Sequence, residues 1–156
     1  MTDTHADRGF CREMGEQIIT IPVSKSIMLK SNGSQGNPYR NNQRSNELRR
    51  LGILAATNLL HLGIAHTEHD TVDLLCLIHY PKRMPRVDPP NMWPSCKPII
   101  DGFTEAGLWA DDDSTHIRRT SFQQHPNPTG HTGLWKVEFH IIPLGRNDDE
   151  LAITGA

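Results

Sequence analysis

Residues 97–117 read KPIIDGFTEAGLWADDDSTHI. This stretch predicts a helix and the turn that follows it, and it contains the most distinctive group of charged residues in the chain. Its apolar positions recur at helical spacing, and Gly107 is well placed to end a helix. We predict a helix that begins near Ser95, because Pro98 is tolerated only in a first turn. Its core stripe consists of Ile99, Ile100, Phe103 and Ala106.

The same stretch holds one lysine among several acids. Lys97 and Asp101 are four residues apart, so they share a helix face and can touch. The run Asp111-Asp112-Asp113 follows the helix end, and Asp88 lies upstream in RVDPPN. Carboxylates beside an ammonium group are typical of a site that holds a hard divalent cation against a phosphate.

The segments before this helix predict two strands and a second helix. Residues 18–23 form an N-terminal strand, and residues 27–29 are its continuation or a hairpin partner. Residues 31–46 predict a mobile surface loop, and residues 45–63 a helix that Gly63 stops. The nearly continuous apolar run 71–79 predicts the central strand.

Residues 80–94 contain five prolines and form a stiff connection that delivers Asp88 and Asn91 from the end of the central strand. Residues 115–122 alternate imperfectly between apolar and polar side chains and residues 135–142 alternate well, with a turn rich in proline and glycine between them, so we predict an antiparallel pair. The fold class is therefore α+β, a small mixed β-sheet with two helices packed on one face. A single domain at 17–145 lies between a flexible N-terminal extension, 1–16, and an acidic disordered tail, 146–156.

The composition favours a soluble protein with a polyanionic partner. No apolar run among the 156 residues approaches a membrane span, and no signal peptide is recognisable, so we expect a cytoplasmic protein. The net charge is −2, but residues 17–145 hold 13 bases and 11 acids. Five of those acids belong to the candidate site. A basic surface around an acidic pocket suits a nucleic acid whose cleavage needs a metal ion.

Seven basic residues are predicted to contact DNA phosphates. Two arginines in the first turn of the helix from Ser45 oppose its dipole, so either the helix begins earlier or they are kept for a ligand. The seven residues are Arg40, Arg44, Arg49, Arg50, Lys82, Arg83 and Arg86.

Cysteines and histidines give weaker signals. The three cysteines show no paired spacing and are predicted to be free thiols. Nine histidines suggest zinc, and His61, His66 and His69 cluster while His125 and His131 flank a loop. No cysteine pairs accompany them at ligand spacing, so we interpret the histidines as exposed polar positions.

The residues that carry the chemistry resemble a known family. Asp88-Pro-Pro-Asn91, followed by Lys97-x-x-x-Asp101 and Ala106-Gly107-x-Trp109-x-Asp111-Asp112, is similar to the motif of the RusA family of Holliday junction resolvases, common in bacteriophages. The family pattern is D-x-D-N, then K-x-x-x-D-x-L-x-x-A-G-x-x-x-D-D. The motif covers about 30 residues, and the coarse order of elements over 17–142 agrees.

The resemblance implies a RusA-like fold and an endodeoxyribonuclease of DNA recombination and repair. It implies a homodimer that makes paired nicks in a four-way DNA junction, with Mg²⁺ or Mn²⁺ and without a nucleotide cofactor. At the positions that match the family motif, the resemblance implies that the catalytic residues are Asp88, Lys97, Asp101, Asp111 and Asp112. The metal-binding set is Asp88, Asn91, Asp111, Asp112 and Asp113.

Chemistry independent of the family assigns similar roles. Asp88 and Asp112 bind the ion directly, with Asp111 or Asp113 completing the site, and Lys97 stabilises charge on the phosphate or leaving oxygen. Asp101 holds Lys97 or joins the metal site. Pro90 replaces the second family aspartate, and the triple aspartate leaves the register open between Asp111-Asp112 and Asp112-Asp113.

Three functional classes follow from these residues. The first is a metal-dependent nuclease for branched DNA. The second is a DNA-binding protein of the same fold whose chemistry has been lost, because Pro90 removes a carboxylate. The third is an unrelated metal-dependent hydrolase of small phosphoesters.

Overall fold

The computed structural model describes residues 16–31, 36–63, 71–84 and 87–144. Their four strands and two long helices confirm the predicted α+β class. In chain order the elements are β1 (Gln17–Ser24), α1 (Pro38–His61), β2 (Val72–His79), a 3₁₀ helix (Pro89–Met92), α2 (Trp93–Ala106), β3 (Ile117–Gln124) and β4 (Leu134–Pro143). Apart from Glu16, the predicted N-terminal extension and the acidic tail lie outside the described residues. No helix in the described ranges is long and apolar enough to cross a membrane.

The four strands form one mixed sheet in the order β1-β4-β2-β3. β2 is an interior strand, as predicted, parallel to β3 and antiparallel to β4. The prediction that β3 and β4 pair with each other is wrong, because β2 lies between them. The apolar β2 is best buried with a strand on each side, and this leaves the more polar β3 at an edge.

The segment after β1 is neither a continued strand nor a hairpin partner, so both alternatives for residues 27–29 are wrong. The chain turns at residues 25–27. The backbone N–H of Leu29 donates to Ser95 Oγ at 2.7 Å, and the same hydroxyl donates to the Leu29 carbonyl at 2.6 Å. The buried Ser95 therefore satisfies both polar groups that a β ladder would have used.

Helix α1 begins at Pro38, seven residues before the predicted start, so the surface-loop prediction is wrong for its second half. The side chain of Asn37 caps the helix by accepting the Tyr39 N–H at 2.9 Å, and Pro38 occupies its first turn. Arg40 and Arg44 consequently lie on a helix. The earlier start also removes Arg49 and Arg50 from the first turn.

Helix α2 starts at Trp93, two residues before the predicted start, and ends at Gly107 as predicted. Pro98 therefore lies inside the helix, where it lacks the N–H that would donate to the carbonyl of Pro94. Gly107 has a φ of 97°, a left-handed conformation that glycine adopts without a Cβ penalty.

Both helices share a core with one face of the sheet. Phe103 of α2 packs edge-on against Phe139 of β4, with ring centroids 5.1 Å apart. Where α1 crosses α2, a Cβ on Gly52 would lie 2.2 Å from the Ile99 carbonyl oxygen, and one on Gly102 would lie 2.3 Å from that of Arg49. These two glycines permit backbone contact between the helices.

Candidate functional site

Lys97 lies between two carboxylates of the predicted site. Its Nζ donates to Oδ1 of Asp101 and to Oδ2 of Asp112. The contact with Asp101 follows from helical spacing, whereas the contact with Asp112 joins residues 15 positions apart. The three side chains are roughly one-third to two-fifths exposed, so the cluster is open to solvent at the protein surface.

The end of α2 explains how Asp112 reaches Lys97. The N–H of Leu108 donates to the Phe103 carbonyl at 3.1 Å, and that of Gly107 to the Thr104 carbonyl at 3.0 Å, which is a Schellman motif. The chain then reverses and buries Leu108 and Trp109. The indole N–H of Trp109 donates to Thr104 Oγ1 at 2.7 Å, which fixes the turn. The acidic run is thereby returned toward the start of the helix.

The charges of the cluster stabilise one another. Burial lowers the pKa of Lys97, but hydrogen bonds to Asp101 and Asp112 outweigh it and raise the pKa above 10.5. The hydrogen bond from Lys97 holds the pKa of Asp112 below its ordinary 3.8. Stability from Asp112 is lost as pH falls through its lowered pKa, and that from Lys97 as pH rises through its raised pKa. The ion pair is therefore present across neutral pH.

Asp111 and Asp113 have local partners. Oδ1 of Asp111 accepts the N–H of Asp112 at 2.8 Å. Oδ1 of Asp113 accepts the N–H of Thr115 at 3.1 Å and ring Nδ1 of His116 at 2.7 Å. Asp113 thus organises the turn before β3, and this favours Asp111-Asp112 as the closing pair of the site.

The carboxyl of Asp113 is expected to titrate at an unusually low pH. Hydrogen bonds from Thr115 and then His116 lower its pKa from 3.8 to about 2. Because the pKa is lowered by folding, the stabilisation is full above pH 3.8 and is lost as pH falls toward 2. Carbon-detected NMR titration measures this pKa directly. Thr115→Val should raise it toward 3.8, and an unchanged value in that variant would contradict the assigned cause.

Asp88 and Asn91 flank the 3₁₀ helix that precedes α2. Asp88 occupies its N-cap position and is exposed, but its side chain makes no capping hydrogen bond. The backbone N–H of Asn91 donates to the Asp88 carbonyl at 2.9 Å. Asp88 therefore carries a carboxylate that this helix does not use. Pro90, in the place of the second family aspartate, is exposed within the same turn.

The predicted acids do not form a closed metal cage. Across the described ranges, one group of three His, Cys, Asp or Glu residues has its ligand atoms within 4.8 Å of one another, and it consists of His79, His125 and Glu138. No three of the predicted site aspartates meet this criterion. In the cluster around Lys97, the ammonium supplies the positive charge between Asp101 and Asp112.

Six of the seven predicted DNA contacts lie in the described residues, and Arg86 lies outside them. Four are on α1, where Arg40, Arg49 and Arg50 are exposed and Arg44 is partly buried. Arg49 is engaged by Glu105 of α2 at 2.6 Å, with both side chains half-exposed. Lys82 and Arg83 are exposed beyond β2.

A basic groove adds two residues that the sequence analysis missed. It is an open cavity of about 550 Å³ lined in part by Lys25, Lys30, Arg44 and Trp135. Nζ of Lys30 lies 5.6 Å from the centre of the Trp135 ring, within cation–π range. Lys25 and Lys30 flank a short apolar segment and give no sequence signal of their own. Their convergence with Arg44 of α1 arises from folding.

No protein-family model matches the chain, and a search of curated proteins finds no significant match.

Proposed function

We propose that the protein is a Mg²⁺-dependent, structure-selective endonuclease that hydrolyses phosphodiester bonds in branched DNA, with a RusA-like fold. The observation that carries the proposal is the pairing of Lys97 with both Asp101 and Asp112. Three of the residues that the resemblance assigns to one active site are in contact, although Asp112 is remote from Lys97 in sequence. By the same resemblance, we propose a homodimer that acts on both strands of a four-way junction.

The donor set suits Mg²⁺ without a closed cage. Mg²⁺ usually binds proteins through one or two carboxylates and keeps several water ligands. Asp112 offers such oxygens, with Asp111 beside it, and so does Asp88, whose side chain makes no capping hydrogen bond. When bound, the ion supplies Lewis-acid activation of the phosphate and a water of lowered pKa.

Lys97 and Asp101 have different roles beside this ion. The ammonium of Lys97 is compact and donates up to three hydrogen bonds, so it stabilises negative charge on a phosphate or leaving oxygen. Asp101 holds Lys97 from within the same helix. A phosphate that approaches Lys97 replaces part of its contact with Asp112, and this frees Asp112 to serve the cation.

The basic groove is proposed to bind a DNA strand, and charge reversal there should weaken binding. Lys25→Glu combined with Lys30→Glu is expected to lower junction affinity roughly tenfold or more at low salt. The slope of log affinity against log salt should fall by about 2, because each phosphate contact contributes about 0.9. Fluorescence anisotropy across a salt series measures both quantities.

The matched control reverses two charges elsewhere on the sheet, Arg119→Glu with Lys136→Glu. It changes the net charge equally and should retain most of the affinity. Equal losses in the two double variants would show that net charge, rather than the groove, governs binding.

The second candidate is a branched-DNA-binding protein of the same fold with impaired catalysis. Two observations favour it: Pro90 stands where the family has an aspartate, and the predicted aspartates form no compact group of three. Such a protein retains the groove and binds junctions. Such a protein does not cut junctions in the presence of any divalent metal ion.

A labelled four-way junction tests these alternatives together. The nuclease is expected to make paired nicks with Mg²⁺ or Mn²⁺ and to stop when EDTA removes the metal. Tight binding without nicks supports the second candidate. Hydrolysis of a chromogenic phosphodiester with neither junction binding nor junction cleavage would instead support a small-molecule phosphoesterase.

A further inference from the structure

A cluster of histidines around Glu138 lies on the sheet face turned away from the helices. Val137 and Phe139 of β4 are buried on the helix side, so the intervening Glu138 and the nearby His140 point to the opposite face. His79 ends β2, two residues beyond the Leu77 that pairs with Glu138. This cluster is therefore separate from the Lys97 cluster, which α2 carries on the other side.

The ring of His79 has the hydrogen-bonding arrangement that is common in metal-binding histidines: a backbone carbonyl holds one nitrogen, and the other faces Glu138. Its side chain is 6% exposed, and its Nδ1 lies 2.8 Å from the Asn127 carbonyl oxygen. A carbonyl accepts only, so Nδ1 carries the proton and donates it. The other nitrogen, Nε2, then presents a lone pair to Oε2 of Glu138. Two acceptors in contact share a proton, and a metal ion bound by both would replace that proton and hold the two atoms farther apart.

Glu138 turns both carboxylate oxygens toward the histidines. Oε2 contacts Nε2 of His79 and lies 3.5 Å from Nε2 of His125, and Oε1 lies on the side of His140. The carboxylate is therefore placed to bind an ion together with these rings.

His140 is oriented in the same way as His79. Its Nδ1 contacts the Glu16 carboxylate, an arrangement that holds the proton on Nδ1. Its Nε2 is buried without a hydrogen-bond partner and lies 3.8 Å from Oε1 of Glu138. Histidines that ligate metals commonly donate their second nitrogen to a carboxylate or a backbone carbonyl, as these two do.

His125 completes the group from the end of β3. Its ring stacks on that of His79 with centroids 3.8 Å apart, and its Nε2 lies 3.5 Å from Oε2 of Glu138. Nδ1 of His125 accepts the Asn127 N–H at 3.0 Å, so the neutral ring carries its proton on Nε2. A metal ion at Nε2 requires the other tautomer, with the proton on Nδ1, so the Asn127 N–H would lose this acceptor.

We propose that His79, His125 and Glu138 bind a zinc-class transition-metal ion, with His140 as the nearest fourth ligand. Ligand atoms on a tetrahedral Zn²⁺ with bonds of about 2.0–2.1 Å are separated by roughly 3.4 Å, close to the 3.5 Å between His125 and Glu138. Nε2 of His79 would move away from Oε2 of Glu138 to reach this spacing. Imidazole with carboxylate suits Zn²⁺ rather than Mg²⁺, which prefers oxygen ligands. The ion would link β2, β4 and the segment after β3.

Zinc binding is measured on the full chain after EDTA treatment and dialysis. Competition with a chromophoric chelator should show one Zn²⁺ per chain. Co²⁺ in its place should give the intense visible absorption of a four-coordinate site. Glu138→Gln and His125→Ala should each weaken Zn²⁺ binding at least about tenfold. The control His131→Ala changes an exposed histidine outside the group and should leave the affinity unchanged.

Three outcomes would overturn the proposal. Absence of Zn²⁺ and Co²⁺ binding to the folded wild-type chain would leave only a proton-sharing cluster. If Glu138→Gln and His125→Ala both still bind Zn²⁺ with unchanged affinity, the metal is held by other residues, such as His66 and His69. An octahedral Co²⁺ spectrum would exclude the proposed four-coordinate site. Failure of junction cleavage would not affect these readings, since the two clusters are tested by different measurements.

Discussion

Asp112→Asn is expected to lower Mg²⁺-dependent cleavage of a four-way junction by roughly 100-fold or more while retaining binding. The amide has nearly the shape of the carboxylate, and its oxygen still accepts a hydrogen bond from Lys97. It lacks the charge that attracts a divalent cation. Loss of a negative charge beside the phosphate should leave junction affinity equal or slightly higher. Single-turnover cleavage and anisotropy on the same preparation separate the two effects.

Glu105→Gln is the matched control for this variant. Glu105, near the end of α2, is likewise a carboxylate that pairs with a base, here Arg49 across the helix crossing, and it is half-exposed. Its neutralisation should change the cleavage rate by no more than about twofold. Glu105 is not among the residues proposed to bind the metal ion, and an exposed ion pair contributes little to folding stability. Wild-type cleavage in Asp112→Asn would remove Asp112 from the proposed active site. Thermal unfolding of both variants checks that they are folded.

Gly52→Ala or Gly102→Ala is expected to destabilise the protein by roughly 2–4 kcal/mol. The added Cβ would meet the backbone of the other helix at 2.2 Å for Gly52 and at 2.3 Å for Gly102. Backbone atoms of a packed helix cannot move aside as a flexible side chain can, so the helices must separate. Urea unfolding monitored by circular dichroism measures the loss.

Thr57→Ala provides the control on α1. Thr57 is exposed, and alanine has the higher helix propensity, so stability should change by less than about 0.5 kcal/mol. A glycine variant as stable as the control would show that the two helices do not cross in backbone contact. The double variant Gly52→Ala with Gly102→Ala should lose less than the sum, because one separation of the helices relieves both clashes.

Most elements could be predicted because their signals are local. The apolar run of β2 and the glycine that ends α2 were recognisable from a few neighbouring residues. The predicted start of α1 is too late because its first turns are polar and resemble a loop, although Asn37-Pro38 is a helix-start signal. Pairing of β3 with β4 was predicted from adjacency in sequence, a tendency that the burial of β2 overrides.

The candidate site was predictable in part for the same reason. The contact of Lys97 with Asp101 follows from helical spacing alone. The contact with Asp112 depends on the reversal after Gly107, which Trp109 fixes by entering the core. The prediction that the histidines are exposed polar positions is wrong for His79, which strand pairing buries.

The sequence by itself determined the class of fold, the main helix and strand segments, and a lysine placed within reach of a helix aspartate. These depend on periodicity and on glycine and proline conformations, which act over a few residues. The tertiary structure alone decided the strand order, the groove of Lys25, Lys30 and Arg44, and the meeting of His79 with Glu138. Those contacts join residues from different elements, and only sheet register and helix packing bring such distant positions together.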